Sequence, residues 1–153
     1  MPKLEEVLKK RRQQQEAAEI DHDAVRQEWI SSCKALVSTV LEWLKPLEDQ
    51  ALLQVEQETI PIYEEQLGQY QAPALKLIFL KSQVLSLRPV GRFVLGARGR
   101  VDLISGGTPL AMLILNGTDD WEFARREARY ERPHRWEFNR KSFEELLVDF
   151  LEE

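Results

Sequence analysis

The stretch VDLISGGTPLAMLILNGTDDWEF, residues 101–123, decides the fold class. Val101–Ile104 and Leu110–Leu115 are short runs of strand-forming apolar residues, and Gly106-Gly107 between them reads as a turn. Asn116-Gly117 tolerates the positive φ values of a tight hairpin turn, so the chain from Trp121 onward is expected to return antiparallel. Trp121 and Phe123 sit two apart and therefore share one face of that returning strand.

Working outward, residues 74–80 (ALKLIFL), 84–87 and 93–95 continue the extended pattern toward the N-terminus. Gly96 and Gly99 mark bends or bulges within it. Toward the C-terminus, Pro133 separates the Trp121 strand from a last strand carrying Trp136 and Phe138. Beyond it, Ser142 and Glu145 match the S-x-x-E capping box. Phe143, Leu146, Leu147, Phe150 and Leu151 then fall at helical spacing, so a short amphipathic helix is expected over 143–151.

The N-terminal third is helical in period. Val25, Trp29, Cys33, Leu36, Val37, Val40, Leu41, Leu44 and Leu47 recur in steps dominated by three and four, one stripe of a helix that Asp21 or Asp23 can cap. Pro46 removes a backbone donor and crowds the preceding turn, which predicts a stop or kink near Lys45. Before this helix, Leu4, Val7 and Leu8 begin a similar pattern that fails at Arg11–Gln15. Residues 1–20 are read as a polar, flexible arm, a candidate for packing on a second subunit, and 21–153 as a single domain. The fold class is α+β: a mostly antiparallel sheet of five or six strands flanked by a long N-terminal helix and a short C-terminal one.

With 153 residues, 43% hydrophobic and 31% charged, the chain has the composition of an ordinary globular domain. No apolar run reaches the roughly 18 residues that span a bilayer, and no secretory signal is evident, so no membrane partner is expected. A lone cysteine, Cys33, forms no internal disulfide and points to a reducing, cytoplasmic setting. The net charge of −5 is unevenly spread: residues 1–80 hold 9 Lys/Arg against 14 Asp/Glu, residues 81–141 hold 12 against 7, and residues 142–153 hold none against 5. The basic middle lies between acidic ends.

No constellation names a reaction. The glycine-rich runs 91–99 and 105–108 lack the lysine and the following helix of a phosphate loop. Asp119, Asp120 and Glu122 could contribute to a hard-cation site with Asp102, but consecutive acids on an extended chain diverge, and Asp102 beside Arg100 suits a cross-strand ion pair. Cys33 falls on the apolar helical stripe as a core thiol. His134 has no visible nucleophile to activate, His22 sits at a helix start, and Asn116-Gly117-Thr118 is read as a turn rather than a glycan acceptor. Neither cofactor nor metal is expected.

The stretch from Trp121 to Lys141 interleaves arginines with aromatics. Arginine, tryptophan and tyrosine are the residues that anchor protein interfaces, so Arg125, Arg129, Tyr130, Arg132, Arg135 and Trp136 are the candidate partner-binding set. The expected function is a non-enzymatic cytoplasmic binding or accessory protein that engages a protein partner, or its own second copy, through this surface. Phosphate pairing by the arginines of 81–141 and base stacking by the aromatics make nucleic-acid binding the alternative. A metal-dependent hydrolase or nuclease built on Asp119, Asp120 and Asp102 is the second alternative.

Overall fold

The computed structural model describes residues 3–80, 83–92, 98–117, 119–125 and 134–152. A long helix, α1 (Lys3–Asp49), precedes seven strands: β1 (Leu53–Glu64), β2 (Gly68–Phe79), β3 (Val84–Gly91), β4 (Arg100–Ser105), β5 (Thr108–Leu115), β6 (Trp121–Arg125) and β7 (His134–Glu137). A short helix, α2 (Arg140–Glu152), closes the described chain. Each strand pairs antiparallel with the next, giving a single meander in the order β1-β2-β3-β4-β5-β6-β7. The α+β class and the two flanking helices match the expectation from sequence; the strand count is higher than five or six. The additional strand is β1, whose charged and proline-broken sequence LQVEQETIPIYE hides its period; Pro61 is accommodated because β1 is an edge strand.

α1 lies on one face of the sheet. Its stripe of Trp29, Cys33, Leu36, Val40 and Leu44 is buried against inward residues such as Leu77, Leu87, Leu103, Leu113 and Phe123. On β1 and β2 the inward parity changes midway. Leu53 and Val55 with Leu75 and Leu77 face the core near one end, whereas Ile60 and Ile62 with Tyr70 and Ala72 face it near the other. The change falls between the buried neighbours Ala74 and Leu75, which oppose Glu58 and Gln57. It turns the hairpin tip toward α1, where the Leu67 carbonyl accepts a bond from Arg26 Nη1 at 3.0 Å. α2 seats Phe143, Leu146 and Leu147 in the same core, and its Phe143 lies 5.7 Å from Trp43 of α1.

Four local expectations are corrected. Neither Asp21 nor Asp23 caps α1, because the helix runs unbroken through both from Lys3, carried by the strong helix formers of the preceding stretch. Pro46 does not end α1, which runs on to Asp49; it and Glu42, whose carbonyl loses its helical N–H partner, are both exposed, so water can replace the forfeited bond. The stop is a Schellman motif: Leu52 N–H bonds the Leu47 carbonyl at 3.0 Å and Ala51 N–H bonds the Glu48 carbonyl at 2.9 Å, with Ala51 left-handed at φ 58°. α2 begins three residues early, because Asn139 caps it. Asn139 Oδ1 accepts Ser142 N–H at 2.8 Å and Ser142 Oγ accepts Asn139 N–H at 2.9 Å, a reciprocal box that makes Ser142 its third helical residue rather than its cap. Of the two expected turns, Gly106-Gly107 is a two-residue hairpin with φ of 60° and 85°. The Asn116-Gly117 connection instead spans the five residues between Leu115 and Trp121, with Asp119 rather than Gly117 taking the positive φ. The segments 93–97 and 126–133, which carry the expected Phe93 strand start, Gly96 and the Pro133 break, lie outside the described residues.

Two substitutions test these local readings. A Cβ at Gly99 would stand 2.3 Å from the Trp29 ring, so Gly99→Ala is expected to destabilise the fold by about 1–3 kcal/mol in denaturant titration. Ala51→Gly removes the left-handed strain at the end of α1 and should raise stability by about 0.5–1 kcal/mol.

Candidate functional site

The arginine–aromatic residues converge on the β6–β7 end of the sheet but divide between its faces. Phe123 opposes Trp136 and Arg125 opposes His134 in the ladder, so all four share the α1 side. Trp136 is half-buried, its ring stacked on Phe123 at 5.2 Å and on His134 at 5.5 Å. The exposed Arg125 places its guanidinium 5.7 Å from the centre of the Trp136 ring, within cation–π range. Arg135 is exposed and, one residue removed, projects from the opposite face. Arg129, Tyr130 and Arg132 lie outside the described residues.

β7 is the last strand of the meander, and among the described residues no further strand pairs with it. Its outer edge therefore carries ladder N–H and C=O groups alongside Arg135, Trp136 and the neighbouring Arg125. Arg125 also borders a shallow pocket of about 360 Å³ with Arg100, Leu110, Met112 and Ala124.

The acids proposed for metal chemistry are occupied elsewhere or apart. Asp102 is buried and accepts both Arg100 Nε at 2.7 Å and Arg100 Nη2 at 3.0 Å. The pair joins alternate residues of β4, not two strands as expected: a spacing of two puts both side chains on one face, where the planar guanidinium can bond both carboxylate oxygens. Glu122 accepts a bond from Asn116 Nδ2 at 3.0 Å. Asp119 and Asp120 are exposed and border a cleft of about 350 Å³ beside Trp43 and Trp121. Among the described residues no three His, Cys, Asp or Glu side chains are grouped to hold a metal ion.

A polar chain that sequence spacing does not reveal crosses the α1–sheet interface. Trp29 Nε1–H donates to Tyr70 Oη at 3.0 Å, and Tyr70 O–H donates to Glu64 Oε2 at 2.5 Å. Glu64 Oε1 accepts the Arg92 backbone N–H at 2.9 Å. Gly91 makes the approach possible, since a Cβ there would lie 2.8 Å from Glu64 Oε1. Burial, and then the Glu64 carboxylate beside it, raises the Tyr70 phenol well above its ordinary range. Burial followed by Glu64 does the same to the Cys33 thiol. Both groups are held protonated, the form in which Tyr70 donates to Glu64 and Cys33 packs as a thiol in the core.

A pH dependence follows. Below about pH 8.5 folded and unfolded chains both keep these two protons, and stability is unaffected by them. Above that value the unfolded thiol, and above about pH 10 the unfolded phenol, release protons that the folded state retains. The unfolded state then binds fewer protons, so unfolding free energy falls with rising pH at up to about 1.4 kcal/mol per group per pH unit. Chemical denaturation at stepped pH measures the slope, which should flatten in a Cys33→Ala/Tyr70→Phe variant; an equal slope in that variant assigns the effect elsewhere. Comparison with protein-family models, with curated proteins and with solved structures finds no match to this chain.

Proposed function

We propose that this chain is a non-enzymatic binding protein whose β6–β7 end engages an acidic, extended segment of a partner protein. The observation that carries the reading is the placement of Arg125 over Trp136 beside the outer edge of β7, with Arg135 on the other face of the same strand. A flat docking face would gather its anchors on one side of the sheet. Anchors divided between both sides of an edge strand suit a segment that adds alongside it, since alternate side chains of such a segment point to alternate faces. The arginines then meet acidic side chains of the added segment, and the strand edge supplies backbone hydrogen bonds. The lone buried Cys33 suits a reducing, cytoplasmic setting for this role.

Arg125→Glu/Arg135→Glu tests the reading. The exposed variant is expected to keep the melting temperature of the parent while losing about tenfold or more in affinity for the partner recovered by affinity purification. Unchanged affinity would remove the β6–β7 end from the interface. A nuclease-sensitive absorbance near 260 nm in the purified material, with binding that falls steeply as salt rises, would establish a nucleic acid as the ligand instead.

A further inference from the structure

We infer that the N-terminal half of α1 is a self-association arm, pairing antiparallel with the same segment of a second copy of this chain. α1 is one unbroken helix of 47 residues, but among the described side chains its contacts with the sheet begin only near Val25 and Arg26. Residues 3–24 therefore extend past the body as about 33 Å of helix. Leu4, Val7 and Leu8 are 71%, 48% and 55% exposed, an apolar cluster near the far end. It continues the inward stripe of the helix: stepping back from Trp29 by threes, fours and one seven, all near whole turns, leads through Val25, His22, Gln15 and Arg11 to Leu8 and Leu4.

Charge selects the occupant and its direction. Residues 3–12 hold five Lys/Arg and two Glu, whereas residues 13–23 hold four Asp/Glu and no Lys or Arg. The arm is thus basic at its outer end and acidic toward the body. A parallel second copy would lay basic on basic and acidic on acidic. An antiparallel copy centred between Gln14 and Gln15 sets the basic 9–12 stretch beside positions 17–20 of the second copy, where the sequence carries Glu19 flanked by Glu16 and Asp21, while Lys3 and Glu6 meet the Arg26–Asp23 ion pair. The same register sets Leu4 opposite Val25 of the second copy, which is only half-buried by its own sheet. The exposed apolar end of each arm is then covered where the other arm enters its domain. A two-fold axis at the arm centre closes the assembly at a dimer.

Sedimentation and cross-linking of the full chain test this. The parent is expected to be a dimer that weakens as salt rises, and Lys10→Glu/Arg11→Glu/Arg12→Glu to raise the dissociation constant by about a hundredfold or more with the melting temperature kept. Register is read separately by a short bis-maleimide on single-cysteine additions, native Cys33 being buried. Gln14→Cys lies at the axis, where paired helices stand about 8–10 Å apart, and should cross-link to its mate. Leu4→Cys mates lie about 30 Å apart in the antiparallel pair and should not. A monomer at every concentration, a dimer indifferent to the charge reversal, or a Leu4→Cys cross-link overturns the proposal. So does a monomer that binds vesicles of anionic lipid through Leu4, Val7 and Leu8.

Discussion

The Trp29 side chain is the constraint on which the packing of helix against sheet depends. It is buried to 1% exposure, and the residues that touch it come from separate parts of the chain. Its ring lies 6.0 Å from Trp121 of β6 and against Gly99, just before β4; its N–H reaches Tyr70 of β2. Through Tyr70 and Glu64 the same chain of bonds ends on the backbone at the close of β3. A large apolar ring with one polar atom needs both a close-packed bed and a hydrogen-bond partner when buried. Gly99 supplies room for the ring and Tyr70 supplies the partner. Tyr70 in turn requires an acceptor for its own proton, which Glu64 provides. Removing Tyr70 strands the buried Trp29 N–H, and removing Glu64 takes away the acceptor of the Tyr70 proton, so each of these groups depends on the next.

The meander explains why such a cross-tie is needed. Every strand pairs with its sequence neighbour, so the ladder itself links only adjacent segments and specifies little about overall curvature. What joins distant strands is the helix laid across them and the side chains it clamps. The parity change in β1 and β2 belongs to the same logic. By turning its inward residues from Leu53 and Val55 to Ile60 and Ile62, the hairpin brings Leu67 and Tyr70 to the helix instead of letting its tip extend into solvent. An open meander also leaves two sheet edges. β1 carries Pro61 on its edge, which blunts pairing there, while the short β7 carries arginines and an aromatic.

How much of this was legible depended on whether the signal was local. The helical stripe from Val25 to Leu47, the Gly106-Gly107 hairpin, the shared face of Trp121 and Phe123 and the docking face of α2 are period and turn chemistry, and the sequence displays them directly. The Arg100–Asp102 pair was half legible: the two residues were visible as neighbours, but their bond within one strand followed from the spacing of two that puts both on one face. β1 was hidden because an edge strand buried on one side tolerates Glu56, Glu58 and Pro61, residues that argue against a strand in isolation. The Asn139 box was hidden by a better-looking box three residues later, whose serine serves as the partner rather than the cap. The Trp29–Tyr70–Glu64 chain had no sequence signal, because 41 positions separate the first pair and the second meets across a hairpin tip. Of the binding set, composition revealed the arginines and aromatics. Their division between two faces required knowing that His134 opposes Arg125.

The length of α1 follows from the dimensions of its support. A 47-residue helix is about 70 Å long, whereas seven strands at about 4.8 Å spacing make a sheet about 30 Å across and a 12-residue strand reaches only about 40 Å. No orientation on this sheet can cover the whole helix, since even its diagonal is only about 50 Å, so at least about 20 Å of helix must lie beyond the sheet. The residues that overhang are strong helix formers, with Lys, Glu, Leu, Arg, Gln and Ala dominating residues 3–19, which lets the helix persist where the sheet no longer supports it. An extension of good helix formers needs no apolar cluster to stay helical or soluble. The presence of Leu4, Val7 and Leu8 at its far end, on the face that continues the core stripe, is a cost in exposed apolar surface that the isolated chain does not recover. That cost is offset only if the face is covered, and the sign change along the same arm supplies complementary charge for covering it with another copy of itself.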